Sequence, residues 1–506
     1  MNYSSHAQLF PFSKYELSQK SCWLKPTKIF LLFIAFSSTS VQAKVTDYLE
    51  LYDEDEFSLM GVLSDLNWHD LKNERWNIYS QATYITSFKD KFSAAYSNLN
   101  GSPNSLSAKA ERSFTATFTS TLGLKAWTGA EFYVAPEMIS ELPLSGLKGI
   151  GGSIQNFELQ KNGTENSTWY LARAIYRQTV SLGGKQNTVN SGPMQLAGAV
   201  DSRRVVFTAG TFSILDIFDK NTYAGDLRHQ FLNMAFMTNA AYDFAADARG
   251  YTTGLAGEFY YDDWAFRFAR IAGPKDPNDL TKEYNLFKYY GDQAELEHKH
   301  IIKGQPGALR LLAYRNRARS GNFGDAIAAY KADPSKNATS CTGYNYESDN
   351  ASAPDLCWVR KANIKMGIGI NMEQSLSQDI GVFFRGMISD GKTEVYSYTS
   401  SDQSLSFGAA MKGLRWGREK DTLGLGYAQS WISKQHVNYL NMGGIDGFIG
   451  DGKINYKPEQ VVDIYYQYHA FRSAWLTLDY QHLANPAYNA DRGPVDIYGA
   501  RVHFEF

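Results

Sequence analysis

Charged residues recur at every second position through much of this chain. That spacing places them on one face of an extended strand. Glu295 and Glu297 are a two-residue pair, Arg173 and Arg177 share a parity, and Glu131 shares one with Tyr133. The same rule collects Arg267, Lys365, Glu373, Arg385, Asp463, Asp479, Arg501 and Glu505, with Tyr133, Trp169 and Tyr465 on that face. Arg310 is ambiguous, because Arg315 and Arg317 share the parity of Leu309 and Leu311. Guanidinium forks donate hydrogen bonds, carboxylates accept them, and hydroxyls do both. A mixed-sign face with ring surfaces therefore suits an uncharged, hydroxyl-rich solute such as a sugar. Both signs occur, which excludes a simple anion or cation filter. For any single charge the plain alternative is that it only solvates a wet surface.

Strands must carry that face. Phe114, Ala116, Phe118, Leu122 and Leu124 interleave with Thr115, Thr117, Thr119, Thr121 and Gly123, and Ile364 to Met372 interleave with Lys365 to Glu373. This is period-two alternation, apolar against polar. The connections alternate too. Thr128-Gly129, Asp262-Asp263, Gln305 to Gly307, Ser375 to Asp379, Trp416 to Asp421 and His469 to Ser473 are short. Long polar stretches lie between them, at 89–113, 137–167, 212–250, 273–291, 318–361, 391–404, 431–459 and 483–494; only 180–202 breaks the alternation. Outer-membrane barrels have short periplasmic turns and long external loops. Strands are expected around 76–88, 114–127, 130–136, 168–179, 203–211, 251–261, 264–272, 293–301, 308–317, 362–374, 380–389, 405–415, 422–430, 460–468, 475–482 and 495–506. The fold expected is all-β: a transmembrane antiparallel β-barrel of about sixteen strands.

Bulk properties agree. The chain has 506 residues, a net charge of −2 and a mean hydropathy of −0.38. There is no basic footprint for nucleic acid and too little apolar content for a bundle of membrane helices. Tyr (33), Phe (30) and Gly (42) are abundant, as suits many strands. Lys25 and Lys28 precede the apolar run Ile29 to Phe36 and the small-residue stretch ending Val41-Gln42-Ala43. That pattern is a secretory leader, expected to be cleaved after Ala43. Residues 44–75 then form a periplasmic segment, in which Phe57 to Leu66 could make a short helix. Cys341 and Cys357 flank a polar stretch in an exported chain, which points to a loop-stapling disulfide. No metal or other cofactor is expected.

About sixteen strands leave an aqueous lumen. Segment 212–250 is too apolar for a solvated loop, with Phe231, Leu232, Met234, Phe236 and Met237 close together. It is expected to fold inward and constrict the pore, or to lie as a lid across the mouth. The last strand alternates to a terminal Phe506, which fits both an aromatic girdle and the signal read by outer-membrane assembly machinery. Enzyme motifs such as G-x-S-x-G and H-E-x-x-H are missing from the sequence. Glu297-His298-Lys299-His300 places its histidines on the parity of Leu296, toward lipid rather than lumen. A TonB-coupled receptor needs about twenty-two strands and a plug, more than this length allows.

Several stretches look familiar together: Q-A-T-Y-I-T from Gln81, D-S-R-R-V-V from Asp201, L-D-I-F-D-K-N-T-Y-A from Leu215 and A-D-A-R-G-Y-T from Ala246. Y-G-D-Q-A-E-L-E from Tyr290, G-F-I-G-D-G-K-I-N-Y-K-P-E from Gly447 and N-P-A-Y-N-A-D-R-G-P-V from Asn485 follow. Their order and spacing resemble the OprB-type carbohydrate-selective porins of Gram-negative outer membranes. The resemblance runs from about residue 76 to the C-terminus. It implies facilitated diffusion of sugars such as glucose through an arginine- and glutamate-bearing constriction. Within the matching stretches it carries Arg203, Arg204, Asp216, Asp219, Arg249, Glu295 and Glu297. Porins occur as monomers and trimers, so a homotrimer is one expected state. The alternative reading is a barrel passing small organic acids or exporting an acidic polysaccharide, and the mixed-sign list argues against it.

Overall fold

The structure, a computed structural model, describes residues 58–159, 161, 163–335, 352–397 and 399–506. The expected leader lies outside them, and so does Cys341, one end of the expected staple.

Sixteen antiparallel strands close on themselves. They are β1 Trp76–Lys89, β2 Glu111–Trp127, β3 Ala130–Leu142, β4 Thr168–Ser181, β5 Arg203–Phe212, β6 Thr252–Tyr261, β7 Trp264–Ile271 and β8 Tyr290–Ile302. The rest are β9 Gln305–Ser320, β10 Lys361–Ser375, β11 Ile380–Ser389, β12 Gln403–Gly413, β13 Arg418–Trp431, β14 Glu459–Phe471, β15 Ala474–Ala484 and β16 Val495–Glu505. All sixteen expected strands are present. β16 pairs with β1 from Gln81↔Glu505 to Lys89↔Ile497, which leaves no open edge. Phe506 extends this seam: its N–H donates to the Ser80 carbonyl at 2.9 Å and its own carbonyl accepts from Ser80 N–H at 2.7 Å. Its ring sits 6.4 Å from Phe118 on the outer face.

The outer face is apolar, as lipid requires. Leu122, Leu124, Leu255, Phe266, Ile368 and Leu478 are exposed there, while their neighbours of opposite parity turn inward. Trp127, Phe132 and Tyr176 cluster near the short-turn end, with Phe132 and Tyr176 5.2 Å apart. His298 joins this face and stacks on Trp264 at 4.3 Å, as its parity indicated.

Parity fails at one expected position. Trp169 was assigned to the lumen with Arg173, yet it is exposed on the outer face and meets Phe118 at 6.2 Å. The cause is a bulge: Ala135 pairs with Arg173 but Pro136 pairs with Leu171, so Ala172 is an extra residue. An inserted residue swaps the faces of everything beyond it.

The short-turn end is partly covered. A helix, α1 Leu59–Asp65, precedes β1, with Ser58 capping it through Gly61 N–H at 2.9 Å. The anomalous connection 180–202 contains a two-stranded hairpin, Gln186–Val189 with Gly198–Asp201. Its tip folds back: Asn77 Nδ2 donates to the Gln195 carbonyl at 2.8 Å and Tyr79 donates to Ser191 at 2.8 Å. The connection is long because it builds part of the mouth.

At the opposite end the long loops hold each other. Among the described residues two helices follow the short α2 Met234–Met237: α3 Phe323–Ala332 and α4 Lys434–Asn441. Phe323 of α3 stacks on His436 of α4 at 4.2 Å. His436 is buried between Asp402 at 3.1 Å and Asp446 at 3.2 Å. Burial pushes its imidazolium down, but the two carboxylates more than reverse this and lift it to about 9. A raised value stabilises the loops fully below the unfolded-state value of about 6.5 and is lost as pH climbs to about 9. Protease nicking of these loops should therefore rise between neutral pH and pH 9.5. In His436→Gln it should be high throughout, and a flat profile in the parent protein would refute the charge assignment.

Candidate functional site

Segment 213–251 connects β5 to β6 and folds into the barrel. A turn at Ile214–Asp216 starts it, with Ser213 and Asp216 capping each other reciprocally. Phe231 stacks on Phe236 at 4.8 Å and meets Tyr465 edge-on at 4.9 Å. Leu232, Met234 and Met237 are buried as well. These are the residues whose hydrophobicity ruled out a solvated loop.

Inward charges of the wall hold this segment. Asp219 is the hub: Thr238 donates to it at 2.6 Å, Asn239 N–H at 2.9 Å and Asn371 Nδ2 at 2.6 Å, and Arg385 pairs with it at 3.3 Å. Arg385 also donates to the carbonyls of Phe236 at 2.7 Å and Asp219 at 3.0 Å. Lys365 pairs with Asp243 at 2.9 Å, and Arg501 donates to the Gln230 carbonyl at 2.8 Å. Glu295 accepts from Asp219 N–H at 2.8 Å and from Arg267 at 2.7 Å. Arg267 continues to Glu297 at 3.2 Å, Glu297 to Arg310 at 2.7 Å, and Arg310 to Glu373 at 3.3 Å. Arg310 thus faces inward.

This placement departs from the expectation for three residues. Arg385, Glu295 and Glu297 face inward but lie buried beneath the loop rather than lining open space. Arg203 departs further. It neighbours Arg204 on one strand, so only one of the two can face in. Arg203 is half-buried and pairs with Asp262 at 2.7 Å at the short-turn rim.

The remaining expected residues surround a cavity of about 1390 Å³ between the loop and the wall. Arg173 binds Asp216 through two hydrogen bonds of 2.7 Å. Arg177 lies 3.7 Å from Glu131 and 4.9 Å over the Tyr133 ring. Arg204 lies 3.8 Å over Tyr260 and Arg249 lies 4.3 Å over Tyr170. Tyr251 carries two cations, Arg173 at 5.3 Å and Lys161 at 5.5 Å. Lys161 pairs with Glu137 at 3.0 Å, and Arg228 with Glu158 at 2.5 Å. The cavity is lined by nine acidic and nine basic side chains, so it presents no net sign.

Sequence reasoning missed Glu137, Lys161, Arg228, Tyr251, Glu258 and Tyr260. Glu137 continues the parity of Glu131 and Tyr133 beyond Pro136, so a strand drawn to Leu142 would have included it. Glu258 and Tyr260 likewise share a parity on β6. Lys161 and Arg228 sit on loops, where no alternation reports direction.

A model of the carbohydrate-selective porin OprB family matches residues 107–506. This chain belongs to the OprB family. Carbohydrate passage through a channel in the bacterial outer membrane is accordingly its function. A solved structure described as high-pH Pseudomonas putida OprB has the same fold: TM-score 0.63, 14% identity, covering 90% of this chain and 99% of that one. A low-pH structure of Pseudomonas putida OprB aligns at TM-score 0.46 with 11% identity, covering 90% and 100%. Pseudomonas aeruginosa OccK8 (OprE) aligns at 0.41 with 10% identity, covering 85% and 98%. No curated protein sequence matches. In this OprB-family chain, Glu131, Arg173, Arg177, Arg204, Asp216 and Arg249 share one cavity with side chains from three loops.

Proposed function

We propose that this cavity is the constriction at which a monosaccharide such as glucose is recognised during facilitated diffusion. One observation carries the reading: guanidinium groups lie over tyrosine rings, beside carboxylates, around a cavity of balanced charge. A sugar has hydroxyls for the forks and carboxylates and C–H faces for the rings. Each contact exchanges a water for a hydroxyl, so net binding is weak. Weak binding suits a passive channel, in which a solute must be held and then released. An organic anion would find as many carboxylates as cationic side chains here. Segment 212–250 acts in this reading as the constriction loop.

The test is single-channel conductance in a planar bilayer with sugars titrated in. Glucose should reduce the current saturably, and an organic anion should do so less. A steady current indifferent to sugars would sink the residue assignments.

The same reading has the chain exported with cleavage after Ala43, assembled through Phe506 and embedded in lipid, as a monomer or a homotrimer. N-terminal sequencing, membrane yield after deletion of Phe506 and mass in detergent each check one of these.

A further inference from the structure

At the short-turn mouth, His229 of the inward loop meets His503 and Glu505 of β16. His229 Nε2 and His503 Nε2 each lie 3.0 Å from the same carboxylate oxygen, Glu505 Oε1. The three ligand atoms lie within 4.8 Å of one another. Glu505 lines the cavity, while His503 is fully buried.

Hydrogen-bond polarity decides what His503 can offer. Glu137 is ion-paired with Lys161 and can only accept, so Thr119 donates to it at 2.9 Å. Thr119 has then used its single proton and must accept from Gln81 Nε2 at 2.8 Å. This turns Gln81 Oε1 toward Thr83, which donates to it at 2.6 Å. Thr83 in turn must accept, and its remaining contact is His503 Nδ1 at 2.8 Å. The chain across β3, β2, β1 and β16 thereby places a proton on Nδ1 of His503. In the neutral ring, Nε2 is then a lone pair aimed at a carboxylate oxygen. Two lone pairs at that distance repel unless something positive lies between them.

A second proton on His503 would relieve that one contact. His229 meets the same oxygen and, with Gln467 Nε2 3.1 Å from its Nδ1, donates to it through Nε2–H. A single divalent cation would bridge both imidazole nitrogens and the shared carboxylate oxygen without a second proton on His503. Neutral imidazole nitrogens and a carboxylate are zinc-type donors with bonds of about 2.0–2.2 Å; the two 3.0 Å separations to Glu505 suit that reach, and the imidazole nitrogens, within 4.8 Å of each other, would draw together on binding. The rings are also held as metal-binding imidazoles are. Thr83 fixes His503, Trp475 packs edge-on against His229 at 4.7 Å, and Gln467 lies 3.1 Å from His229 Nδ1. A half-turn of the Gln467 amide, which gives up a long 3.5 Å bond to the Arg228 carbonyl, lets it accept from Nδ1–H and frees Nε2.

We infer that His229, His503 and Glu505 form a binding site for a divalent transition-metal ion of the zinc class. Three protein donors leave a coordination position open to the lumen. The ion would tie the inward loop to the closing strand at the seam of the barrel.

Equilibrium dialysis of the purified, chelator-treated full-length mature barrel against zinc tests this. The expected result is about one zinc per chain in the micromolar range or tighter. His229→Gln and Glu505→Gln should each weaken it at least tenfold while the barrel keeps its heat-modifiable migration. His503→Asn should do the same, and if that variant fails to assemble the other two decide. No stoichiometric zinc in the parent protein would overturn the site. Zinc bound equally by parent, His229→Gln and Glu505→Gln would overturn it too, because histidines elsewhere would then account for it.

Discussion

Replacing Arg385 with alanine should raise single-channel conductance and destabilise the barrel by about 3–5 kcal/mol, the usual result of breaking a buried ion pair. Arg385 and Asp219 have no exposed side-chain surface. Without the guanidinium, Asp219 keeps its donors Thr238, Asn239 and Asn371 but loses its charge partner. The Phe236 carbonyl also loses its donor, and the Asp219 carbonyl keeps only Asn371 Nδ2 at 3.2 Å. These groups cost free energy only while they stay buried, so the loop gains by lifting from the wall. Lifting it widens the lumen. Unfolding in urea and conductance measured on one preparation give both numbers. Arg385→Met combined with Asp219→Asn should recover part of the stability, because neither member of the pair is then charged. If Arg385→Ala matches the parent protein in conductance and in unfolding midpoint, the loop is held by other contacts.

Replacing Arg249 with alanine should weaken glucose block about tenfold, or about 1.4 kcal/mol, while leaving open-channel conductance close to that of the parent. Arg249 lies three residues before β6, where the strand already holds the end of the loop. Its Nε donates to the Lys161 carbonyl at 2.9 Å and its guanidinium lies on Tyr170. A tight turn aims it: Asp247 accepts from Arg249 N–H and Tyr251 N–H, both at 3.1 Å, and Gly250 has φ of 83°. A side chain at Gly250 would strain that turn. Arg249→Lys keeps the charge without the planar fork, so block should fall between the two. Titration of single-channel current with glucose separates affinity from conductance. Equal block constants in parent and Arg249→Ala would move sugar recognition elsewhere in the cavity.

Alternation by itself determined the barrel. A strand between lipid and water must change polarity at every residue, and β2 and β10 do so for most of their length. The lengths of the connections then fixed which end each loop occupies. The same rule gave Arg173, Arg177 and Glu131 their inward face, and it went wrong where the extra residue Ala172 shifted the register between Trp169 and Arg173. Hydrophobicity marked the inward loop, since Phe231 and Phe236 could not remain in water.

Only the tertiary structure divided the inward charges into anchors and lining. Arg385 and Arg173 look alike in sequence, each an arginine on the lumen parity. One is covered because Asp219 lies above it, and the other meets Asp216 at the edge of open space. Asp219 and Arg385 are 166 residues apart, and no local pattern carries information over that distance. Lys161 and Arg228 reach the cavity from loops, where the backbone has no fixed period. The tautomer of His503 was further still from the sequence, because it follows from proton polarity passed through Glu137, Thr119, Gln81 and Thr83 on neighbouring strands. Strand faces are set by local backbone geometry, whereas ion pairs and proton directions depend on which groups the closed barrel brings within 3 Å or so of each other.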